Sequence, residues 1–405
     1  MAYNKARAEK QWLKWKEAEE RKLRELGVDE DTIQRLHTYD WAQFNKERQY
    51  LQRQVEWSHY VDWVSAQDLE LPVEDTEALL DSIEDMELFS LLHNMDKLTL
   101  EILFWFALFM VFYTYLGYGI VLYALVKLKE LFVKPVKYSL PASNDELPEV
   151  TLFITAFNEE DVVDEKMENS LELDYPADKL RIVWVTDGSD DGTNERLQTR
   201  WAGKATVHFQ PLRQGKTAAM TRGMTLVDTP LVVFTDANTM VNREAIREIV
   251  LAFRNPKVGC VAGEKRIAVQ AKDGAAAGGE GIYWKYESTL KALDARLYSA
   301  VGAAGELFAV RRELFETMEP DTLLDDFILS LRITMKGYII AYCTNAYAIE
   351  SGSADMREEE KRKVRIAAGG LQSIRRLRPL LNPFRYGVLS FQYTSHRVLR
   401  WSVTP

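Results

Sequence analysis

Apolar and polar positions along the chain fall into three regimes. Up to about residue 53, charge of both signs is dense, and Trp12, Trp15, Leu23 and Leu26 recur at helical spacing until Gly27. Asp29, Asp31 or Thr32 stands where a second helix would be capped, with Ile33, Leu36 and Tyr39 on its apolar face. Asp40-Trp41-Ala42-Gln43-Phe44 is expected to open a third. From Gln54 to Asp96 there are twelve acids and no Lys or Arg, interleaved with Trp57, Tyr60, Trp63, Leu79, Ile83 and Phe89. That segment reads either as a solvated helix surface or as a docking segment for a basic partner. Residues 1–98 are therefore expected to form a separate acidic α-helical segment that self-associates or docks a partner protein.

The second regime is uncharged. Ile102 to Val126 is apolar or aromatic almost throughout. About 20 such residues cross a hydrocarbon core, so residues 99–130 are expected to form a transmembrane helix, with a buried soluble helix as the alternative. Lys127, Lys129, Lys134 and Lys137 follow at once and put the C-terminal flank in the cytoplasm. The acidic segment would then lie outside, yet the charged N-terminus carries no signal peptide. Either it crosses, or the helix does not span here, or Met95 starts a shorter protein. The expected location is the cell's inner membrane, with the domain that follows in the cytoplasm.

Past the linker Pro135 to Pro148, the third regime alternates short apolar runs with helical patterns. Val150–Ala156, 181–186, 206–209, the run Leu231-Val232-Val233-Phe234-Thr235 and 258–262 read as strands. Helices are expected up to about Leu173 and over 189–201, 216–227 and 282–297, with Gly274 to Gly281 as a loop. Strands alternating with helices predict an α/β domain with a doubly wound, mostly parallel sheet. Two runs deliver an acid at their carboxyl ends, Asp187 and Asp236, which is where ligands sit in such sheets.

Composition narrows the function. A formal charge of −10 argues against a nucleic-acid partner. Cys260 and Cys343 have no metal-site spacing and read as reduced core residues. Gly215-Lys216-Thr217 is not a phosphate-binding P-loop, because Gln210 stands where that motif needs Gly. No Gly-x-Gly-x-x-Gly opens the first helix. Asp236-Ala237-Asn238 offers two oxygen-bearing side chains just after a strand, which suits Mg2+ or Mn2+ shared with a diphosphate. Asp325-Asp326 opens a helix carrying Ile328, Leu329, Leu331 and Ile333. This pair suits a carboxylate base, which would contribute about 10²–10⁴ in rate; a helix cap is the alternative.

Several ordered motifs resemble family 2 glycosyltransferases of GT-A fold, the membrane-bound type related to cellulose, chitin and hyaluronan synthases. Thr155-Ala156-Phe157-Asn158-Glu159-Glu160 resembles the opening nucleotide-binding segment, and Asp187-Gly188-Ser189 the loop whose Asp contacts the base. Gly215-Lys216 resembles the segment near the nucleotide, and Asp236-Ala237-Asn238 stands at the Asp-x-Asp position. Gly302-Ala303-Ala304-Gly305-Glu306 resembles the acceptor side. Leu324-Asp325-Asp326 matches the acidic pair, and Gln372-Ser373-Ile374-Arg375-Arg376 stands where Gln-x-x-Arg-Trp is expected.

The resemblance implies a GT-A domain over 149–378, with Phe157, Asn158, Glu159, Asp187, Gly188, Ser189, Lys216, Asp236, Gln372, Arg375 and Arg376 binding a nucleotide sugar. It implies Asp236 and Asn238 on a divalent cation, Gly305 and Glu306 on the acceptor, and Asp326 with Asp325 as catalytic acids. The activity implied is inverting hexosyl transfer from a UDP-sugar to a saccharide or lipid-linked acceptor, as in polysaccharide synthesis. Asn238 removes one acid from the metal site, and Arg376 replaces the tryptophan of processive synthases, which favours a lipid or short acceptor. Both departures also leave open a catalytically degenerate membrane scaffold or nucleotide-sugar-binding protein. Residues 379–405 mix arginines with aromatic residues and read as an interfacial amphipathic segment leading to further spanning helices.

Overall fold

The computed structural model describes residues 5–25, 27–30, 32–41, 97–134, 136, 138–268, 275–351 and 356–403. The chain divides into two units, Met1–Leu100 and Glu101–Pro405. In the first, a helix spans Lys5–Glu25, and Gly27 takes the left-handed conformation that ends it. Among the three candidate caps, Asp29 accepts from the Thr32 N–H at 2.9 Å. The helix it starts runs through Asp40 and Trp41, so Asp40 does not open a new one. The rest of that expected third helix and the acidic segment lie outside the described residues.

A helical stretch from Leu98 to Phe132 is long and apolar enough to cross a membrane. It is interrupted by a π turn at Tyr113–Gly117. In its first half Ile102, Phe104, Trp105, Phe106 and Phe109 are exposed, whereas Tyr118, Leu122 and Val126 in its second half are buried. Its second half, Tyr118–Phe132, packs against the Ala275–Leu297 helix. Gly119 permits the approach: a Cβ there would lie 2.9 Å from the Tyr286 hydroxyl.

Among the described residues, eight strands, numbered in chain order, build one sheet in the order β3-β2-β1-β4-β7-β6-β8-β5. They are β1 Val150–Ala156, β2 Leu180–Asp187, β3 Thr206–Gln210, β4 Leu231–Asp236, β5 Thr239–Val241, β6 Val258–Ala268, β7 Leu307–Arg311 and β8 Ile339–Ser351. β1 is parallel to β2 and β4, and β2 to β3, as the βα alternation predicts. Side chains alternate faces along each strand. Phe153, Val185 and Phe234 enter a core under the Lys216–Gly223 and Asp325–Met335 helices. Leu152, Trp184 and Val233 enter the other, under the Glu160–Leu171 and Ala245–Phe253 helices. Both faces are covered, so the apolar runs are continuous.

Three expectations need correction. Ala275 to Gly281 is helical, the first two turns of the Ala275–Leu297 helix. Its three leading alanines offset the glycines there. The expected 189–201 helix is shorter, Thr193–Thr199. Residues 379–405 are not wholly interfacial. Phe384 is exposed, but Leu389, Gln392, Tyr393 and His396 are buried against the domain. Cys260 is buried in the core, whereas Cys343 is only partly buried; both are free thiols.

Candidate active site

Parallel pairing brings the carboxyl ends of β1, β2 and β4 to one edge, with Thr155 opposite Asp236 and Ala156 opposite Thr186. β7 runs antiparallel beside β4, with Leu307 opposite Thr235. Its amino end is therefore at that edge, and the Gly302–Glu306 segment that precedes it arrives there too. Gly302 has φ 88° and lies against Phe327, while Ala303 N–H donates to Ser330 Oγ at 3.0 Å. These contacts dock the segment on the Asp325–Met335 helix.

The centre of the site is defined by Gly305. A Cβ on it would stand 3.2 Å from Lys216 Nζ, 3.6 Å from Asp326 Oδ2 and 3.8 Å from Asp236 Oδ2. Three functional groups from three segments thus face one small space that glycine leaves open. Lys216 donates to Asp236 Oδ1 at 2.7 Å. Although burial acts to lower it, Asp236 and then Asp325 hold the Lys216 ammonium above its ordinary value. Burial, then Asp325 and Glu306, push Asp326 up to about 7, with Lys216 opposing. Asp325 makes no side-chain cap, and its Oδ2 is buried without a hydrogen-bond partner among the described residues.

The donor rim lies at the ends of β1 and β2. Asn158 is the one described non-glycine residue with positive φ, 53°. Its N–H donates to Ser189 Oγ at 3.1 Å and its amide to Asp190 Oδ1 at 2.7 Å, tying the two loops together. Arg213 stacks on the Phe157 ring at 3.6 Å. Gly188, with φ 75°, leaves room for the Arg213 backbone. Asp187 is buried, and its Oδ2 accepts from the Gln214 and Gly215 N–H groups at 2.8 and 2.6 Å. Arg222 pairs with its other oxygen. Its carboxylate therefore holds the loop that carries Lys216. Burial, then Asp236 and Asp191, push Glu159 up to about 6.

The acceptor-side Glu306 pairs with Lys265 at 2.6 Å, and Arg362 approaches at 3.5 Å. Although burial acts to raise it, Lys265 holds the Glu306 carboxyl below its ordinary value. Gln372 and Arg376 turn to the loop before the acidic pair. Gln372 accepts from Leu323 N–H at 3.0 Å, and Arg376 donates to Thr322 Oγ1 at 2.8 Å and Asp321 Oδ1 at 2.6 Å. With Arg375, Arg378, Leu371 and Asp321 they line a cavity of about 770 Å³. So the structure joins Lys216, Asp236, Gly305 and Asp326 at one point. It sets Gln372, Arg375 and Arg376 around a basic pocket of their own.

No group of three or more His, Cys, Asp or Glu placed to hold a metal occurs among the described residues. Asp236 and the exposed Asn238 fit a hard cation only as two ligands of a shell completed by phosphate and water, which is how Mg2+ is ordinarily held.

Sequence reasoning missed Arg213, Arg222 and Lys166. Lys166 sits on the helix face shared by Val163, Met167 and Ser170, all buried. A lysine at a core position of a helical pattern was the available signal.

Residues 148–369 match the profile described as glycosyltransferase like family 2. A poly-beta-1,6-N-acetyl-D-glucosamine synthase of Staphylococcus aureus is 26% identical over 252 residues, 59% of this chain and 60% of that one. A probable glycosyltransferase of Bacillus subtilis, YdaM, is 26% identical over 247 residues, 55% of this chain and 56% of that one. The chain thus spans less than two thirds of the length of these relatives. Among solved structures, a mannosyltransferase of Pyrobaculum calidifontis in complex with GDP-Man and Mn2+ is 24% identical with TM-score 0.58, covering 73% of this chain and 82% of that one. At that identity the likeness establishes the fold.

Proposed function

The chain belongs to the family described as glycosyltransferase like family 2, and we propose that it performs an inverting transfer from a nucleotide-diphosphate sugar, a UDP-sugar, to a saccharide or lipid-linked acceptor at the cytoplasmic face of a membrane. The observation that carries this is the convergence of Lys216, Asp236 and Asp326 on the space beside Gly305. That space is bounded by a cation for a leaving diphosphate and a carboxylate for an attacking hydroxyl.

Asp326 accepts the proton of the acceptor hydroxyl as its oxygen attacks the anomeric carbon. The bond to the diphosphate oxygen breaks on the opposite face, and the nucleoside diphosphate leaves with the electron pair. A base pushed up to about 7 suits this role near neutral pH. Lys216 neutralises charge growing on the diphosphate. Phe157, Asn158, Glu159, Gly188 and Ser189 form the nucleotide rim, Asp187 fixes the Lys216 loop, and the pocket of Gln372, Arg375 and Arg376 receives phosphate or acceptor. Gly305 and Glu306 border the acceptor. Asp236 and Asn238 would hold a divalent cation, which would supply Lewis-acid stabilisation of the leaving diphosphate. The apolar Leu98–Phe132 helix supports the membrane assignment by length and composition.

Titration calorimetry tests the reading. UDP with Mn2+ is expected to bind and EDTA to weaken binding. GDP as the tighter ligand would reassign the base. No binding of any nucleoside diphosphate would refute the function and leave a scaffold.

A further inference from the structure

Beneath the turn that carries Asp236 lies a charged group that the transfer chemistry does not use. Lys166 projects from the Glu160–Leu171 helix and is 0% exposed. Its ammonium donates to Thr235 Oγ1 at 3.0 Å and to the Thr239 carbonyl at 2.5 Å. These two residues flank Asp236-Ala237-Asn238. Three positions further along the same helix, Asn169 holds Val241 from both sides, donating to its carbonyl at 2.8 Å and accepting from its N–H at 2.9 Å. One helix thus holds the turn at its base and β5 beyond it.

The direction of these bonds matters. An ammonium has donors only. Burial pushes the Lys166 amine down to about 7, with Asp236 opposing; in the charged form Thr235 Oγ1 accepts from it and commits its single proton to another acceptor. The Glu306 carbonyl lies 3.0 Å away, at the start of β7. Thr239 Oγ1 in turn reaches the Asp236 carbonyl at 3.1 Å and Glu306 O at 3.4 Å. Lys166 thereby orients a short chain of hydroxyls that joins the donor-side turn to the acceptor-side segment. An apolar side chain of equal length would fill this place without the desolvation cost of an amine.

We propose that Lys166 is a positioning residue for sugar transfer, fixing Asp236 relative to the Gly305–Glu306 segment through Thr235 and Thr239. It touches no substrate and acts by holding the two halves of the site in register. A displacement of about 1 Å between reacting groups is enough to cost about 100-fold in rate.

The proposal rests on the transferase reading, so the test has two readouts. Lys166→Met keeps length and removes every donor, whereas Lys166→Gln keeps a donor and loses the charge. Lys166→Met is expected to lower kcat about 10- to 100-fold with the KM for nucleotide sugar within about threefold, because the nucleotide rim is elsewhere. Lys166→Gln is expected to recover part of that loss. Amide hydrogen exchange over residues 236–241 is expected to accelerate in the Met variant and less in the Gln variant. A folded Met variant with kcat within about twofold of the parent overturns the proposal, as does a raised KM at constant kcat or unchanged exchange. If Lys166→Met does not fold, the Gln variant is judged by the same criteria. Failure of both to fold assigns Lys166 to stability alone and overturns the proposal. If the parent chain turns over no nucleotide sugar, the transferase reading fails, and hydrogen exchange still decides whether Lys166 holds the turn.

Discussion

Replacing Lys216 with methionine should move the pH dependence of the reaction in a calculable direction. Lys216 Nζ and Asp326 Oδ2 both lie close to the point a Cβ on Gly305 would occupy, at 3.2 and 3.6 Å. The two charges are therefore within about 7 Å of each other, and at an effective dielectric of about 20 their attraction is worth about 2 kcal/mol. The Lys216 side chain is 38% exposed, so solvent screening reduces this to roughly half. The remainder corresponds to about one pKa unit. Asp326 works ionised, so kcat/KM should rise with pH around a midpoint near 7 and level off above it. Removing a cation raises the pKa of a nearby acid, so in Lys216→Met the rising limb should move up by about one unit. The assay is kcat/KM against pH at one fixed Mn2+ concentration. The height of the profile will fall as well, because the diphosphate loses a partner, but the midpoint is independent of height. A midpoint within about 0.3 unit of the parent's, or one that moves down, would refute the assignment of Asp326 as the titrating base facing Lys216.

Three further outcomes are expected. Asp326→Asn should lower turnover at least about 100-fold while nucleoside diphosphate affinity by calorimetry stays nearly constant; if Asp325→Asn does this and Asp326→Asn does not, the base is misassigned. Gly305→Ala places a carbon among Lys216, Asp326 and Asp236, so turnover should drop at least about 10-fold with little change in Tm, and a fully active variant would mean the reacting atoms lie elsewhere. A chain beginning at Met95 should bind nucleotide as well as the full chain, since every residue of the site belongs to the Glu101–Pro405 unit; a folded product without binding would put the segment in the site.

The sequence by itself determined the parts that are local. Strands such as Val150–Ala156 and Leu231–Asp236 are continuous apolar runs because both faces of the sheet are covered, and that pattern is visible without coordinates. The acids ending β2 and β4, the Gly-Lys segment and the Asp325-Asp326 pair were legible for the same reason: each is a short motif next to a recognisable element. The antiparallel β7 was not read, since a five-residue run such as Leu307–Arg311 does not reveal its direction or partner. Only the tertiary structure decided that β7 lies beside β4, and through it that Gly305 faces Asp236. Asp187 shows the same limit: its position followed from the motif, but its bonds to Gln214 and Gly215 arise from a loop that returns from β3. That Gln372 and Arg376 bond to the 321–323 loop was not legible in their motif, because the turn of a helix about its axis is fixed by packing. Lys166 and Thr235 are 69 positions apart and became partners only when a helix was laid under the sheet. Periodicity reports how each segment meets its own surroundings. Which segments meet one another is settled by long-range packing, and the site lies where they meet.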